Sequence, residues 1–144
     1  ENINTPLSIN SKINSFKLYV FDTGILGALL RLPVESLLKY DFSFKGFIAE
    51  NFILQEGTAL ANKTEGVFYC YKKGESEIEF VTENWGTVLP IEVKAGATLH
   101  SKSLGVFIKK YTPTKAIRFS KRLYSLPFRE RIILDLPLFW FKWF

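Results

Sequence analysis

Between residues 46 and 94 the hydrophobic period changes once, and that change limits what the chain can build. Gly46 to Ala61 (GFIAENFILQEGTALA) places Asn51, Gln55, Thr58 and Asn62 at intervals of four, three and four, which predicts a helix with one polar, solvent-facing stripe. Three strand-like runs follow at Val67 to Tyr71, Glu77 to Val81 and Val88 to Lys94. Lys73-Gly74-Glu75 and Asn84-Trp85-Gly86 supply the turns between them, so an antiparallel meander is expected. Leu104, Phe107, Ile108 and Tyr111 then recur at helical spacing, in a helix from Ser101 that stops before Pro113. Lys115 to Ser120 alternates like a strand, and Ile132 to Leu136 reads as another. Helix, three strands, helix, strand predicts an α/β fold whose mixed sheet of about four to five strands is flanked by helices.

Ahead of this block, residues 1–15 are polar, carry Pro6 and read as a linker or extended lead. Phe16 to Val20 is a short apolar segment; Asp22-Thr23-Gly24 then caps a helix running to about Leu32, with Pro33 at its end. Residues 33–45 read as loop with a short helix. The 144 residues fit a single domain over 16–144. Methionine is absent, even at position 1, so a piece of a longer chain is expected.

Composition narrows the function classes. A 47% hydrophobic and 23% charged chain excludes disorder and collagen-like repeats. The single cysteine, Cys70, cannot close an internal disulfide, so a reducing, cytoplasmic setting is expected, and Cys70 itself reads as a small core residue. Cys70 and the single histidine, His100, cannot make a zinc site between them; His100 reads as a surface residue before a helix. No apolar run reaches the ~20 residues of a spanning helix. The aromatic end, Phe139 to Phe144, is expected to cover the sheet or meet another subunit.

The net charge of +5 is unevenly placed. Residues 1–100 hold nine Lys/Arg against twelve Asp/Glu, and residues 101–144 hold ten against two. Lys109, Lys110, Lys115, Arg118, Lys121, Arg122, Arg129 and Arg131 are interleaved with Tyr111, Phe119, Tyr124 and Phe128. Two readings stay open: cations on phosphates with aromatics stacking on bases, or a solvated basic face over core aromatics.

The chemistry-bearing residues lie elsewhere. Alternation along a strand puts Glu77 and Glu79 on one face, with Ile78 and Phe80 on the other. The same rule puts Glu92 and Lys94 opposite Ile91 and Val93. If these strands pair, Glu79 and Glu92 lie side by side with Lys94 one step along. Two close carboxylates repel unless a cation neutralises them, and Mg²⁺ (with Mn²⁺ as substitute) prefers such oxygen donors. Glu50, about 110° around its helix from the polar stripe, sits at the boundary of the buried side and can approach the same end.

Gly46-Phe47-Ile48-Ala49-Glu50-Asn51-Phe52, Glu77-Ile78-Glu79-Phe80-Val81 and Leu89-Pro90-Ile91-Glu92-Val93-Lys94-Ala95-Gly96 resemble the C-terminal domain of unknown function of a prokaryotic family of AAA-type ATPases. Lys17 to Leu26 resembles the start of that domain, and Lys102-Ser103-Leu104 and Ala116-Ile117-Arg118 match its later pattern. The resemblance implies a restriction-endonuclease-like, PD-(D/E)XK-type core and an upstream ATP-binding module; no P-loop occurs in this chain. It implies catalytic roles for Glu50, Glu79, Glu92 and Lys94, with metal held by Glu79, Glu92 and the Val93 carbonyl. At Glu79 the family pattern usually has Asp.

The expectation is therefore a nuclease-like domain cutting DNA with Mg²⁺, its phosphate contacts made by Lys109, Lys110, Lys115, Arg118, Lys121 and Arg122. The alternative is a non-catalytic module on the same scaffold that binds DNA, another protein or its own ATPase. A structural, homo-oligomerising domain is the third reading.

Overall fold

The computed structural model describes residues 3, 5–12, 14–38, 44–60, 67–84, 86–96, 101–122 and 132–143. Among them the chain forms α1 (Thr23–Leu29), α2 (Val34–Leu38), α3 (Lys45–Leu60), β1 (Tyr69–Lys73), β2 (Ser76–Asn84), β3 (Thr87–Lys94), α4 (Lys102–Tyr111), β4 (Ala116–Ser120) and β5 (Ile133–Pro137). Short 3₁₀ turns lie at Leu7–Asn10 and Leu138–Trp143. The expected α/β class and mixed sheet are present. The helix after Asp22 ends sooner than the Pro33 signal implies, because Arg31 takes a left-handed backbone (φ 50°).

Local chemistry sets the boundaries. The Asp22 carboxylate accepts the Ile25 N–H at 2.9 Å, and the Ser101 hydroxyl accepts that of Leu104 at 3.1 Å, each satisfying a helix-start donor. Thr112 closes α4 in the left-handed conformation (φ 43°) just before Pro113. Gly74, at φ 58°, lets β1 turn into β2 within two residues, a backbone that side chains other than glycine adopt at a cost.

The sheet runs in sequence order, β1-β2-β3-β4-β5. The first three strands are the expected antiparallel meander, and β3-β4 and β4-β5 are parallel. A parallel neighbour needs a crossover, and α4 provides it between β3 and β4. Two apolar clusters cover the sheet. Ala49 and Ile53 of α3 pack with Phe80, Ile91, Val93, Ile117, Phe119 and Leu136. Leu104 and Phe107 of α4 pack with Ile78, Val81 and Ala116. Central strands apolar on both faces are the expected state of a covered sheet.

Three expectations are corrected. Tyr69 pairs with Val81 but Tyr71 with Ile78, so β2 carries one extra residue opposite Cys70, a β-bulge. Strict alternation over 77–81 is therefore lost: Ile78 joins the cluster under α4, and Phe80 the cluster under α3. Cys70 is exposed rather than in the core, because β1 is an edge strand. The lead is not a free linker either: Leu7 is buried in the α4-side cluster, and its N–H donates to Glu83 at 2.9 Å.

The polar stripe of α3 does not face water. Asn51 is 1% exposed, and its amide pairs with the Val20 backbone in both directions: Oδ1 accepts Val20 N–H, and Nδ2 donates to Val20 C=O, both at 2.9 Å. One turn on, Gln55 Oε1 accepts from the Thr23 N–H and hydroxyl at 2.7 and 2.8 Å. These side chains act as the sheet partner that residues 19–23 lack. Thr58 is exposed as expected, and Asn62 lies outside the described residues.

Removing this amide leaves two half-buried backbone groups of Val20 without their partner. Asn51→Ala is expected to lower unfolding free energy by about 2–3 kcal/mol, measured by urea denaturation, well beyond an exposed helical substitution.

Candidate active site

The β2-β3 ladder ends at the pair Phe80–Ile91, and the next residues outward on the two strands are Glu79 and Glu92. There the Val93 N–H donates to Glu79 Oε2 at 3.2 Å. A side-chain oxygen thus ends the ladder and ties Glu79 beside Glu92, because Val93 adjoins Glu92 on β3. Burial, followed by the negative field of Glu92, pushes the Glu79 carboxyl up to about 7, against the partial relief of its backbone hydrogen bonds and Lys94.

Glu92 is 1% exposed. Its Oε1 meets Lys94 Nζ at 2.5 Å, since residues two apart on a strand share a face. Its Oε2 is buried with no hydrogen-bond partner. Orphaned buried oxygens are costly, and one on a carboxylate beside a second carboxylate is a ready seat for a cation.

Glu50 lies on the flank of this pair. Tyr19 donates its hydroxyl to Glu50 Oε2 at 3.2 Å, and Lys17 Nζ lies 3.7 Å from the same oxygen. Lys17 also forms an ion pair with Glu77. Burial alone would lower the Lys17 pKa, but the Glu77 hydrogen bond and the fields of Glu50, Glu77 and Glu79 outweigh it and raise it. The Tyr19 hydroxyl is pushed well above its usual range by burial and by Glu50. Glu50 therefore shares the neighbourhood of Glu79 while being held by Lys17 and Tyr19. Lys17 and Tyr19 carry no local signal in the sequence, because their partners lie 33 and 31 residues away.

The donor set suits a hard divalent ion: carboxylate oxygens and nearby backbone, without sulfur or imidazole. Among the described residues no group of three or more His, Cys, Asp or Glu side chains is placed to hold a metal. A Mg²⁺ site needs only one or two carboxylates, because that ion keeps several waters.

Of the basic residues, Lys109 and Lys110 are exposed in the last turn of α4, where cations favour the helix dipole, and Lys115, Lys121 and Arg122 are exposed around β4. Arg118 differs: its guanidinium grips Asp135 through Nε and Nη2, at 2.5 and 2.9 Å, across paired residues of β4 and β5. Among the described residues, the two aromatics interleaved with these cations pack inward. Phe119 is fully buried, and Tyr111 packs on Phe107 with its hydroxyl 3.2 Å from that of Tyr71. His100, Tyr124, Phe128, Arg129, Arg131 and Phe144 lie outside the described residues.

Fold and site together define a mixed α/β domain with a partly buried carboxylate–lysine cluster, centred on the buried Glu92, where the β2–β3 ladder stops. The chain belongs to the family described as Domain of unknown function (DUF4143), whose model matches residues 45–139. That span runs from α3 to the turn after β5 and contains Glu50, Glu79, Glu92 and Lys94. No curated protein and no solved structure matches the chain. None of the described helices is long and apolar enough to cross a membrane.

The raised Glu79 pKa has a signed consequence. Between its ordinary value of 4.5 and about 7, the folded state holds a proton that the unfolded state has lost, so stability falls as pH rises through that window. Glu79→Gln removes this slope. In calorimetry with chelator present, the variant's melting temperature is expected to gain on wild type from pH 4.5 to 7 and to hold a constant offset above.

Proposed function

We propose that this domain is a metal-dependent nuclease-type module acting on DNA, the C-terminal part of an AAA-type ATPase built on a restriction-endonuclease-like core. The observation that carries the reading is the Glu92 carboxylate: fully buried, one oxygen on Lys94, the other without a partner, beside a second carboxylate. A structural ion pair would satisfy both oxygens or keep one in water; this one leaves a lone pair inside the protein.

Glu79 and Glu92 would hold Mg²⁺ or Mn²⁺, with the Val93 carbonyl completing the protein donors. The ion, when bound, supplies positive charge to the phosphodiester oxygens. The chain's own groups do the rest. Lys94 orients the attacking water and donates to the phosphoryl oxygen as charge develops there. Glu50, held by Tyr19 and Lys17, keeps the flank of the site negative and polar. Lys109, Lys110, Lys115, Lys121 and Arg122 supply phosphate contacts, whereas Arg118 is already engaged by Asp135. This reading implies a cytoplasmic parent protein with an upstream ATP-binding module.

A second reading has its own observation. Glu79 is longer by one methylene than the aspartate the family resemblance leads one to expect, and Mg²⁺ demands near-ideal geometry. On that basis the same scaffold would bind DNA, or its ATPase partner, without cutting.

Titration calorimetry with Mn²⁺, followed by cleavage assays on single- and double-stranded DNA, separates the two. The nuclease reading expects one ion per chain, lost in Glu92→Gln. It also expects cleavage reduced at least ~100-fold in Lys94→Ala with ion binding retained. Salt-dependent DNA binding without cleavage in Mg²⁺ or Mn²⁺ selects the second reading.

A further inference from the structure

The residues that hold Glu50 have neighbours with no evident task. Lys17 and Tyr19 turn inward to the same carboxylate, so in an extended segment Phe16 and Leu18 turn outward. They are 72% and 85% exposed, and Phe21 after them is 82% exposed. The strip continues along α1 through Ile25 and Leu29, one helical turn apart, and Phe47 stands on α3 one turn before Glu50. Asn51 and Gln55 fix the ribbon's backbone, so these side chains are displayed on a rigid support.

Scaled by their exposure, the six side chains present on the order of 800 Å² of apolar surface, more than the ~300–600 Å² of a typical largest patch on a monomer. It is comparable with the ~800 Å² that each partner contributes to a standard stable interface. The two charged residues of the ribbon and the start of α1 are engaged. Lys17 is engaged by Glu50 and Glu77, and Asp22 by the start of α1. Two identical strips can therefore meet without like-charge repulsion, which is what a two-fold, isologous contact requires.

We propose that the ribbon Phe16–Phe21 and the outer face of α1 form a homodimer interface, covered by the same strip of a second copy of this chain. The interface stands on the surface alone and does not depend on the nuclease reading. Lys17 and Tyr19 of the same ribbon contact Glu50, so the interface borders the flank of the carboxylate cluster in each copy.

Sedimentation equilibrium between 1 and 200 µM tests the proposal. Wild type is expected to pass to a species of about 33 kDa, twice the 16.6 kDa chain. The double variant Leu18→Glu, Phe21→Glu is expected to weaken that association at least ~100-fold and to melt as dilute, monomeric wild type does, while Lys72→Glu on β1 leaves the association intact. Should the double variant fail to fold, amide exchange on wild type at 5 and 200 µM reads the same surface: concentration-dependent protection is expected within residues 16–29. A wild-type monomer at 200 µM overturns the proposal and leaves the strip to a different protein. A dimer that the double variant does not weaken, or whose protection falls elsewhere, overturns it as well.

Discussion

A carboxylate oxygen accepting a backbone N–H is the contact on which the site depends. Beyond the last β2–β3 pair, Phe80–Ile91, the Val93 N–H donates to Glu79 Oε2. That bond closes the β2–β3 ladder and also holds Glu79 in the field of Glu92. The chain thereby accepts a repulsion that a hydrophobic or amide side chain would avoid. Stability and site chemistry oppose each other at this point, and the buried, half-satisfied Glu92 is where the opposition is greatest.

The second organising contact lies on α3. Asn51 makes the two-way hydrogen bond that a neighbouring strand would make, and Gln55 continues it at Thr23. Segment 16–23 can thus lie flat on a helix without orphaned backbone at Val20 and Thr23. Its alternation then does two things at once: one set of side chains steadies Glu50, and the other makes an apolar outer strip. A single extended segment connects the acidic cluster to the outside of the molecule.

Much of this was legible in the sequence, and what was not has identifiable causes. The change from helical to two-residue period, with Gly74 and Gly86 at the turns, located α3 and the meander because local sterics decide both. Glu79, Glu92 and Lys94 were placed together by strand alternation and hairpin pairing, which are short-range rules. The α3 stripe misled because polar residues at helical spacing look the same whether they meet water or a backbone. Lys17 and Tyr19 were invisible because their partner is set by tertiary packing. Cys70 was assigned to the core from its residue type, while its position on an edge strand decides its exposure. Arg118 looked like one more surface cation until the parallel pairing of β4 and β5 set Asp135 beside it.

The bulge in β2 gives the strand two phases. Below it Ile78 points to the α4 layer, and above it Phe80 points to the α3 layer, so the two halves obey opposite inside–outside codes. Residue count, rather than residue identity, is the sensitive variable there. Inserting a single position between Ile78 and Phe80 would leave every existing side chain chemically suitable, yet turn half the strand inside out and swing the acidic group away from its neighbour. The length of this segment is therefore a constraint separate from that on its side chains.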